Sequence, residues 1–113
     1  MKTANKLTTY LQVGAFSIIT CIAIGCTAQQ AKAINGEAEF KQHCNACHAG
    51  GGNSINPAKT LSKMDREKNG INSVKDLIGI MRKPGPGMTA FDEKTLPETD
   101  AEKIADYILN TYK

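Results

Sequence analysis

The sequence predicts an all-α domain of about four helices, and three observations support that prediction. Apolar residues recur at helical spacing in several segments after Gly36. Helix start and stop signals bound those segments, such as Ser73 ahead of one and Asn69-Gly70 behind another. No segment shows the alternating β-branched residues of a strand. The 113 residues are enough for a single domain.

The first predicted helix begins at Gly36 and leads through Phe40 into a cysteine-rich segment without a breaker. Gly50 to Gly52 ends it, because consecutive glycines continue a helix only at a high cost in free energy. The loop that follows is restricted by Pro57, whose ring fixes its own φ angle.

Three further helices complete the prediction. One runs from Lys59 to Lys68, with Leu61 and Met64 on one side. The next begins at a capping-box-like Ser73-Val74-Lys75-Asp76 and ends at Pro84, with Leu77, Ile78 and Met81 as its apolar face. The last begins at a second box, Thr99 to Glu102, and its apolar stripe comprises Ile104, Ala105, Ile108 and Tyr112, with Tyr107 alongside.

Cys44-Asn45-Ala46-Cys47-His48 is the segment around which the helices are predicted to pack. It reads Cys-x-x-Cys-His, the signal for covalent attachment of a c-type haem. Two intervening residues let one helical turn present both thiols to the vinyl groups on one porphyrin edge. His48 then brings a ring nitrogen under the iron. We interpret Cys44 and Cys47 as thioether sites and His48 as the proximal ligand of one covalent haem c.

A bare Cys-x-x-Cys pair has other interpretations. A thioredoxin-like dithiol follows a buried strand, and no strand pattern precedes Cys44. A zinc site needs a second pair of ligands, and no Cys or His follows His48. Chance occurrence of the pentapeptide is the remaining alternative, and the haem interpretation is preferred to all three.

The apolar run from about Leu11 to Gly25, preceded by Lys2 and Lys6, resembles a secretory signal, and we predict a signal peptide over residues 1–25. Haem attachment of this type also requires export. Ala23-Ile24-Gly25-Cys26 resembles a lipobox and would make Cys26 a lipidation site, whereas Ala31-Lys32-Ala33 resembles an ordinary cleavage site. We favour the lipobox because it directly follows the apolar run. Residues 26–35 would then form a tether and residues 36–113 the domain.

The charge pattern argues against a nucleic-acid partner. The chain has 14 Lys and Arg against 11 Asp and Glu, and both signs alternate along the surface segments. Without Lys2 and Lys6 of the leader, twelve basic residues face eleven acidic ones. The sequence has no Trp, so the domain's own core is thin, and a porphyrin at its centre would supply the missing apolar surface.

His43, Met64, Met81 and Met88 are the candidates for the second axial ligand. His43 precedes Cys44 on the proximal helix and cannot reach across the ring. Met64 and Met81 stand at helical spacing typical of core residues. Met88 ends Pro84-Gly85-Pro86-Gly87-Met88, where the prolines preorganise the loop before a weak thioether bond forms. We therefore predict Met88 as the ligand.

Ligation by His48 and Met88 fills both axial positions, so the iron has no vacancy for a substrate. The expected function is that of a one-electron carrier with low-spin haem and not of an enzyme. The alternative is a haem enzyme, or a gas or redox sensor, in which Met88 is displaced. Redox proteins are the expected partners and would dock transiently at the porphyrin edge near Cys47 and the Met88 loop.

The chain from Gly36 to Lys113 resembles class I cytochromes c, and more narrowly the soluble photosynthetic cytochromes of the c-six type. The resemblance rests on the helix entry at Gly36–Phe40, on Asn56-Pro57-Ala58-Lys59-Thr60-Leu61, on Asn69-Gly70 and on the last helix with Tyr107. The loop from Pro84 to Met88 is more similar to monohaem outer-membrane lipoprotein cytochromes of metal-reducing bacteria.

The resemblance implies the same site residues: Cys44 and Cys47 as thioether sites, with His48 and Met88 as axial ligands. It also implies that Gly36 and Phe40 pack against Tyr107, and that Asn56 or Pro57 offers a backbone carbonyl to the His48 ring. Because of the leader pattern and the haem motif we expect an exported protein, and we expect it to be a monomer. It would lie in the periplasm, or on the periplasmic face of the outer membrane through a lipid anchor at Cys26.

Overall fold

The computed structural model describes residues 33–113 and folds this part of the chain into five α-helices without a strand. The predicted all-α fold is confirmed. The signal peptide expected over 1–25, Cys26 and the tether up to residue 32 lie outside the described residues. The helices are α1 (Gly36–His43), α2 (Asn45–His48), α3 (Lys63–Lys68), α4 (Val74–Arg82) and α5 (Glu98–Thr111).

α1 begins where Asn35 caps it: the Asn35 side-chain oxygen accepts hydrogen bonds from the backbone N–H groups of Glu37 and Ala38. The predicted continuous helix through the cysteine motif is wrong, because the chain kinks at Cys44 and resumes as the separate helix α2. A short 3₁₀ turn, Ala49–Gly51, follows α2. Gly50 and Gly51 there have φ angles of 61° and 82°, a backbone region that favours glycine.

α3 is shorter than predicted and begins at Lys63 instead of Lys59. The residues before it are committed to other hydrogen bonds. The Lys59 carbonyl accepts from the Asn53 side chain, and both the hydroxyl and the backbone N–H of Thr60 donate to the Asp65 carboxylate. Ser62 is the N-cap. Met64 is 75% exposed, so its predicted core role is wrong.

α4 follows the prediction closely. Ser73 and Asp76 form the capping box, with the Ser73 hydroxyl accepting from the Asp76 N–H and the Asp76 carboxylate accepting from the Ser73 N–H. The Asp76 carboxylate also accepts from the Ser73 hydroxyl and from the backbone N–H of Asn72, and these bonds hold the pKa of Asp76 below its ordinary value. The helix buries Leu77 and Met81 and ends before Pro84.

α5 begins at Glu98 after Pro97, and no side chain caps its first turn. The second capping box, predicted at Thr99, is therefore wrong. The start of α5 is positioned by the preceding turn instead. In that turn the Asp92 carboxylate accepts from the backbone N–H groups of Lys94 and Thr95. Leu96, which is 1% exposed, then anchors the chain in the core.

The core forms where α1 and α4 pack on α5. The Phe40 ring contacts the rings of Tyr107 and Tyr112, with centroids 5.3 and 5.8 Å apart. Gly36 lies directly on α5 at Lys103 and Tyr107. The predicted packing of Gly36 and Phe40 against Tyr107 is thus confirmed.

Among residues 33–113, no helix combines the length and apolar character needed to cross a bilayer.

Gly36→Ala is expected to destabilise the fold by about 1–3 kcal/mol, as overpacking of a tight contact usually does. A Cβ atom there would overlap the carbonyl oxygen of Lys103 and lie 2.7 Å from its carbonyl carbon. Both atoms belong to the backbone, so α1 must move away from α5. Thermal unfolding followed by far-UV circular dichroism measures the change.

Gly79→Ala is the matched control, because Gly79 lies within α4 and a Cβ there meets nothing within 4 Å. We expect it to stabilise the protein by about 0.5–1 kcal/mol, since alanine favours the helical backbone. Equal unfolding temperatures for the two variants would contradict the close packing of α1 on α5.

Candidate functional site

The motif residues lie on α2 and on the kink before it. Cys44 is partly buried and Cys47 is exposed, and the two are not joined in a disulfide. The N–H of His48 donates to the Cys44 carbonyl at 2.9 Å, which closes the turn. One helical turn therefore presents both sulfurs and the imidazole, as the spacing predicts.

The His48 ring is oriented by a hydrogen bond within its own segment. Its Nδ1 atom lies 2.8 Å from the carbonyl oxygen of Gly52. Because a carbonyl only accepts, the proton must reside on Nδ1, which leaves the lone pair of Nε2 free to bind a metal. The expectation that Asn56 or Pro57 supplies this carbonyl is therefore wrong. The turn at Gly50 and Gly51 places the Gly52 carbonyl beside the ring instead.

A cavity of about 590 Å³ lies beside the motif. Its walls include the motif residues Cys44, Cys47 and His48, and also Met88. The α4 residues Leu77, Ile80 and Met81 and the α5 residue Ile108 supply apolar surface. Asn56 lines the cavity, whereas the exposed Pro57 does not. Its volume is typical of sites that enclose an organic cofactor.

Met88 reaches the cavity from the loop between α4 and α5. Its N–H donates to the Gly85 carbonyl at 3.4 Å, and Gly87 has a φ angle of 91°. Ile55 packs on Gly87, where a Cβ would lie 2.7 Å from Ile55 Cγ2. A side chain at position 87 would displace Ile55, so glycine is needed here both for its φ angle and for its size.

The other candidate ligands have different surroundings. Met81 and His43 also line the cavity, Met81 from the core, where it is 4% exposed, whereas Met64 is on the surface and outside the cavity walls. The His43 ring lies edge-on to Phe91 at 6.0 Å, with its Nε2 atom 3.6 Å from the Glu39 carboxylate.

Arg66 is a cavity residue that the sequence analysis missed. It is 5% exposed, and its Nε and Nη2 atoms donate to the backbone carbonyls of Leu61 and Tyr112 at 2.9 and 3.1 Å. No carboxylate among residues 33–113 forms an ion pair with it. A buried guanidinium without an acidic partner suits a ligand that brings its own anion, as the propionates of a porphyrin do. The cavity, the thiols, the imidazole and this cation thus fit a haem.

The dithiol and zinc interpretations find no support in the site. Burial raises the pKa of the Cys44 thiol to about 11, whereas a reactive dithiol needs a lowered pKa. Within residues 33–113, no group of three or more His, Cys, Asp and Glu side chains is placed to hold a metal ion.

Comparison with known proteins agrees with this site. The family described as cytochrome C oxidase, cbb3-type, subunit III matches residues 31–108. Cytochrome c6 of Synechocystis sp. is 39% identical over 88 residues, which cover 78% of this chain and 72% of that protein. Cytochrome c6 of Petalonia fascia is 41% identical over 76 residues, which cover 67% of this chain and 88% of that protein.

Solved structures show the same relationship. The outer-membrane cytochrome OmcF from Geobacter sulfurreducens is 44% identical, with a TM-score of 0.68 over 70% of this chain and 100% of that one. Cytochrome c6C from Synechococcus sp. is 28% identical, with a TM-score of 0.64 over 68% of this chain and 93% of that one. These relatives define the class as c-type cytochromes that carry electrons.

The chain belongs to the cytochrome c6-like family of class I monohaem cytochromes. Its cofactor is one covalently bound haem c.

Proposed function

We propose that this protein is a one-electron carrier whose haem is attached through Cys44 and Cys47, with His48 and Met88 as the axial ligands. The observation that supports this proposal is the shared cavity: the motif on α2 and Met88 on the loop after α4 line the same space. No other cysteine pair lies within residues 33–113.

When bound, the haem supplies an iron that takes up and releases one electron. The protein's residues support this electron transfer by keeping the groups that would surround the iron in fixed positions. Gly52 holds the His48 ring in the tautomer that a metal requires, and the Pro84–Met88 loop presents the thioether. Apolar side chains from α4 and α5 exclude water from the cavity and so disfavour the more highly charged ferric state.

Arg66 would hold a haem propionate in this proposal. Its side chain is buried, lines the cavity and already donates to two backbone carbonyls, so its position is fixed before the cofactor binds. The positive charge of Arg66 would also contribute to the electrostatics that set the reduction potential of the haem.

We propose that redox proteins dock transiently at the exposed mouth of the cavity. Cys47 is exposed there, and Ile55 and Ile80 are 61% and 37% exposed. Such small apolar surfaces suit short-lived contacts between electron-transfer proteins, and the protein itself would act as a monomer.

We also propose export and attachment to the outer membrane through a lipidated Cys26. The leader pattern supports it, and so does the similarity to OmcF, which is described as an outer-membrane cytochrome. The mature N-terminus tests it: a lipidated Cys26 supports anchoring, and a free Ile34 shows cleavage after Ala33 and a soluble periplasmic form instead.

Three measurements on the purified protein test the carrier function. Mass spectrometry should give the mature chain plus one haem, and the ferric spectrum should contain the sulfur-to-iron charge-transfer band of Met ligation. Carbon monoxide should not bind the reduced protein at neutral pH. A high-spin ferric spectrum together with rapid carbon monoxide binding would replace the carrier function with that of an enzyme or gas sensor.

A further inference from the structure

Arg82, the last residue of α4, forms hydrogen bonds with residues that follow Met88 in the next loop. Arg82 Nη1 donates to the backbone carbonyls of Phe91 at 3.1 Å and Leu96 at 2.8 Å. Its Nη2 atom donates to the Glu98 carboxylate at 2.8 Å. The Arg82 side chain is only 19% exposed. The rigid fork of a guanidinium can serve these acceptors at once, which a lysine ammonium on a flexible stem cannot.

Phe91 attaches the Met88 loop to α4 through two hydrogen bonds. Its N–H donates to the Met81 carbonyl at 2.9 Å, and its carbonyl accepts from Arg82. Its ring lines the cavity and packs against His43. Since Met88 precedes Phe91 by three residues, these contacts limit how far Met88 can move from the cavity.

Leu96 and Glu98 extend the same connection to α5. Leu96 is buried in the core and Glu98 is the first residue of α5, so Arg82 joins the end of one helix to the start of another. The segment between them contains Met88 and has no regular secondary structure. Arg82 thus closes this segment into a loop, which removes conformations in which Met88 lies away from the cavity.

We propose that Arg82 is a positioning residue that keeps the Met88 thioether at the haem iron. The inference rests on the proposed function, because it presupposes Met88 ligation. A thioether bond to iron is weak, so the fraction of protein with Met88 detached depends on how well the loop is held. An external ligand binds only that detached fraction, and its apparent affinity reports the fraction directly.

Arg82→Lys tests the proposal, with imidazole as the external ligand for the ferric holoprotein. If the detached fraction rises about tenfold, imidazole binds about tenfold more tightly, because the apparent dissociation constant scales inversely with that fraction. The charge-transfer band should also be lost on heating before the far-UV signal of the helices. Unchanged imidazole affinity in a folded Arg82→Lys holoprotein would overturn the proposal.

Two controls separate positioning from general stability. Ile104→Val removes one methylene from the core on α5, outside the cavity walls, and should lower the unfolding temperature without changing imidazole affinity. Glu98→Gln keeps the Arg82 bonds to both carbonyls and should bind imidazole nearly as the unaltered protein does. Equal imidazole affinities for Ile104→Val and Arg82→Lys would also overturn the proposal.

Amide hydrogen exchange on the unaltered holoprotein keeps the proposal testable if Arg82→Lys fails to mature. The Phe91 and Leu96 amides, which donate to Met81 and Asp92, should exchange as slowly as amides within α4. Rapid exchange at Phe91 would show that the loop opens freely and would overturn the inference. Absence of the charge-transfer band from the unaltered protein would instead overturn Met88 ligation itself, so the two failures are distinguishable.

Discussion

Met88→Ala is expected to open the sixth coordination position of the haem iron. The ferric protein should lose the sulfur-to-iron charge-transfer band, and the ferrous protein should bind carbon monoxide. The reduction potential should fall on the order of 100 mV, a fraction of the about 0.8 V range over which axial ligands move haem potentials. Thioether ligation favours the ferrous state, so its loss lowers the potential. Spectroscopy and redox titration on one sample measure all three changes.

Met64→Ala is the matched control for that experiment. It makes the same chemical change at a side chain that is 75% exposed on α3 and does not line the cavity. We expect no change in spectrum, potential or carbon monoxide binding. An intact charge-transfer band in Met88→Ala would show that another group ligates the iron.

His48→Ala is expected to abolish stable holoprotein. Loss even of a hydrogen-bond partner to a metal ligand typically lowers metal affinity by about 10–100-fold, so loss of the ligand itself should exceed that range. The yield of haem-containing chain after expression with the maturation machinery measures the effect, by absorbance and by mass.

His43→Ala is the control for His48→Ala. It removes the other histidine of the chain, which contacts Glu39 and Phe91, and should leave haem content and the charge-transfer band in place. Recovery of normal coloured protein from His48→Ala would contradict His48 as the proximal ligand, and loss of holoprotein in His43→Ala alone would assign that ligand to His43.

Features determined by neighbouring residues could be predicted from the sequence. The cysteine motif, the Ser73 capping box and the stop at Asn69-Gly70 each depend on groups within a few residues. The start of α3 was predicted too early, because the Asn53 and Asp65 side chains bond to backbone groups of Lys59 and Thr60 that a longer helix would use. Such competition between side-chain and helical hydrogen bonds leaves no pattern in the local sequence.

The hydrogen-bond partners of the site were the least predictable part. Gly52 reaches His48 only because Gly50 and Gly51 adopt positive φ angles, which the sequence permits without specifying. Arg66 and Arg82 bind carbonyls 46 and 14 residues away in the chain, respectively. A basic residue in the last turn of a helix is common, so neither arginine is conspicuous in the sequence.

The hydrogen bond between the His48 imidazole and the Gly52 carbonyl lies within one short segment. The two axial ligands of the haem would therefore depend on the fold to different extents. The thioether sites, the proximal ligand and its hydrogen-bond acceptor all fall within residues 44–52, so the hydrogen bond that orients the imidazole is local in sequence. The thioether of Met88, by contrast, depends on the complete tertiary structure. Partial denaturation should therefore yield a five-coordinate species, which exposes iron to peroxide while the pigment stays attached.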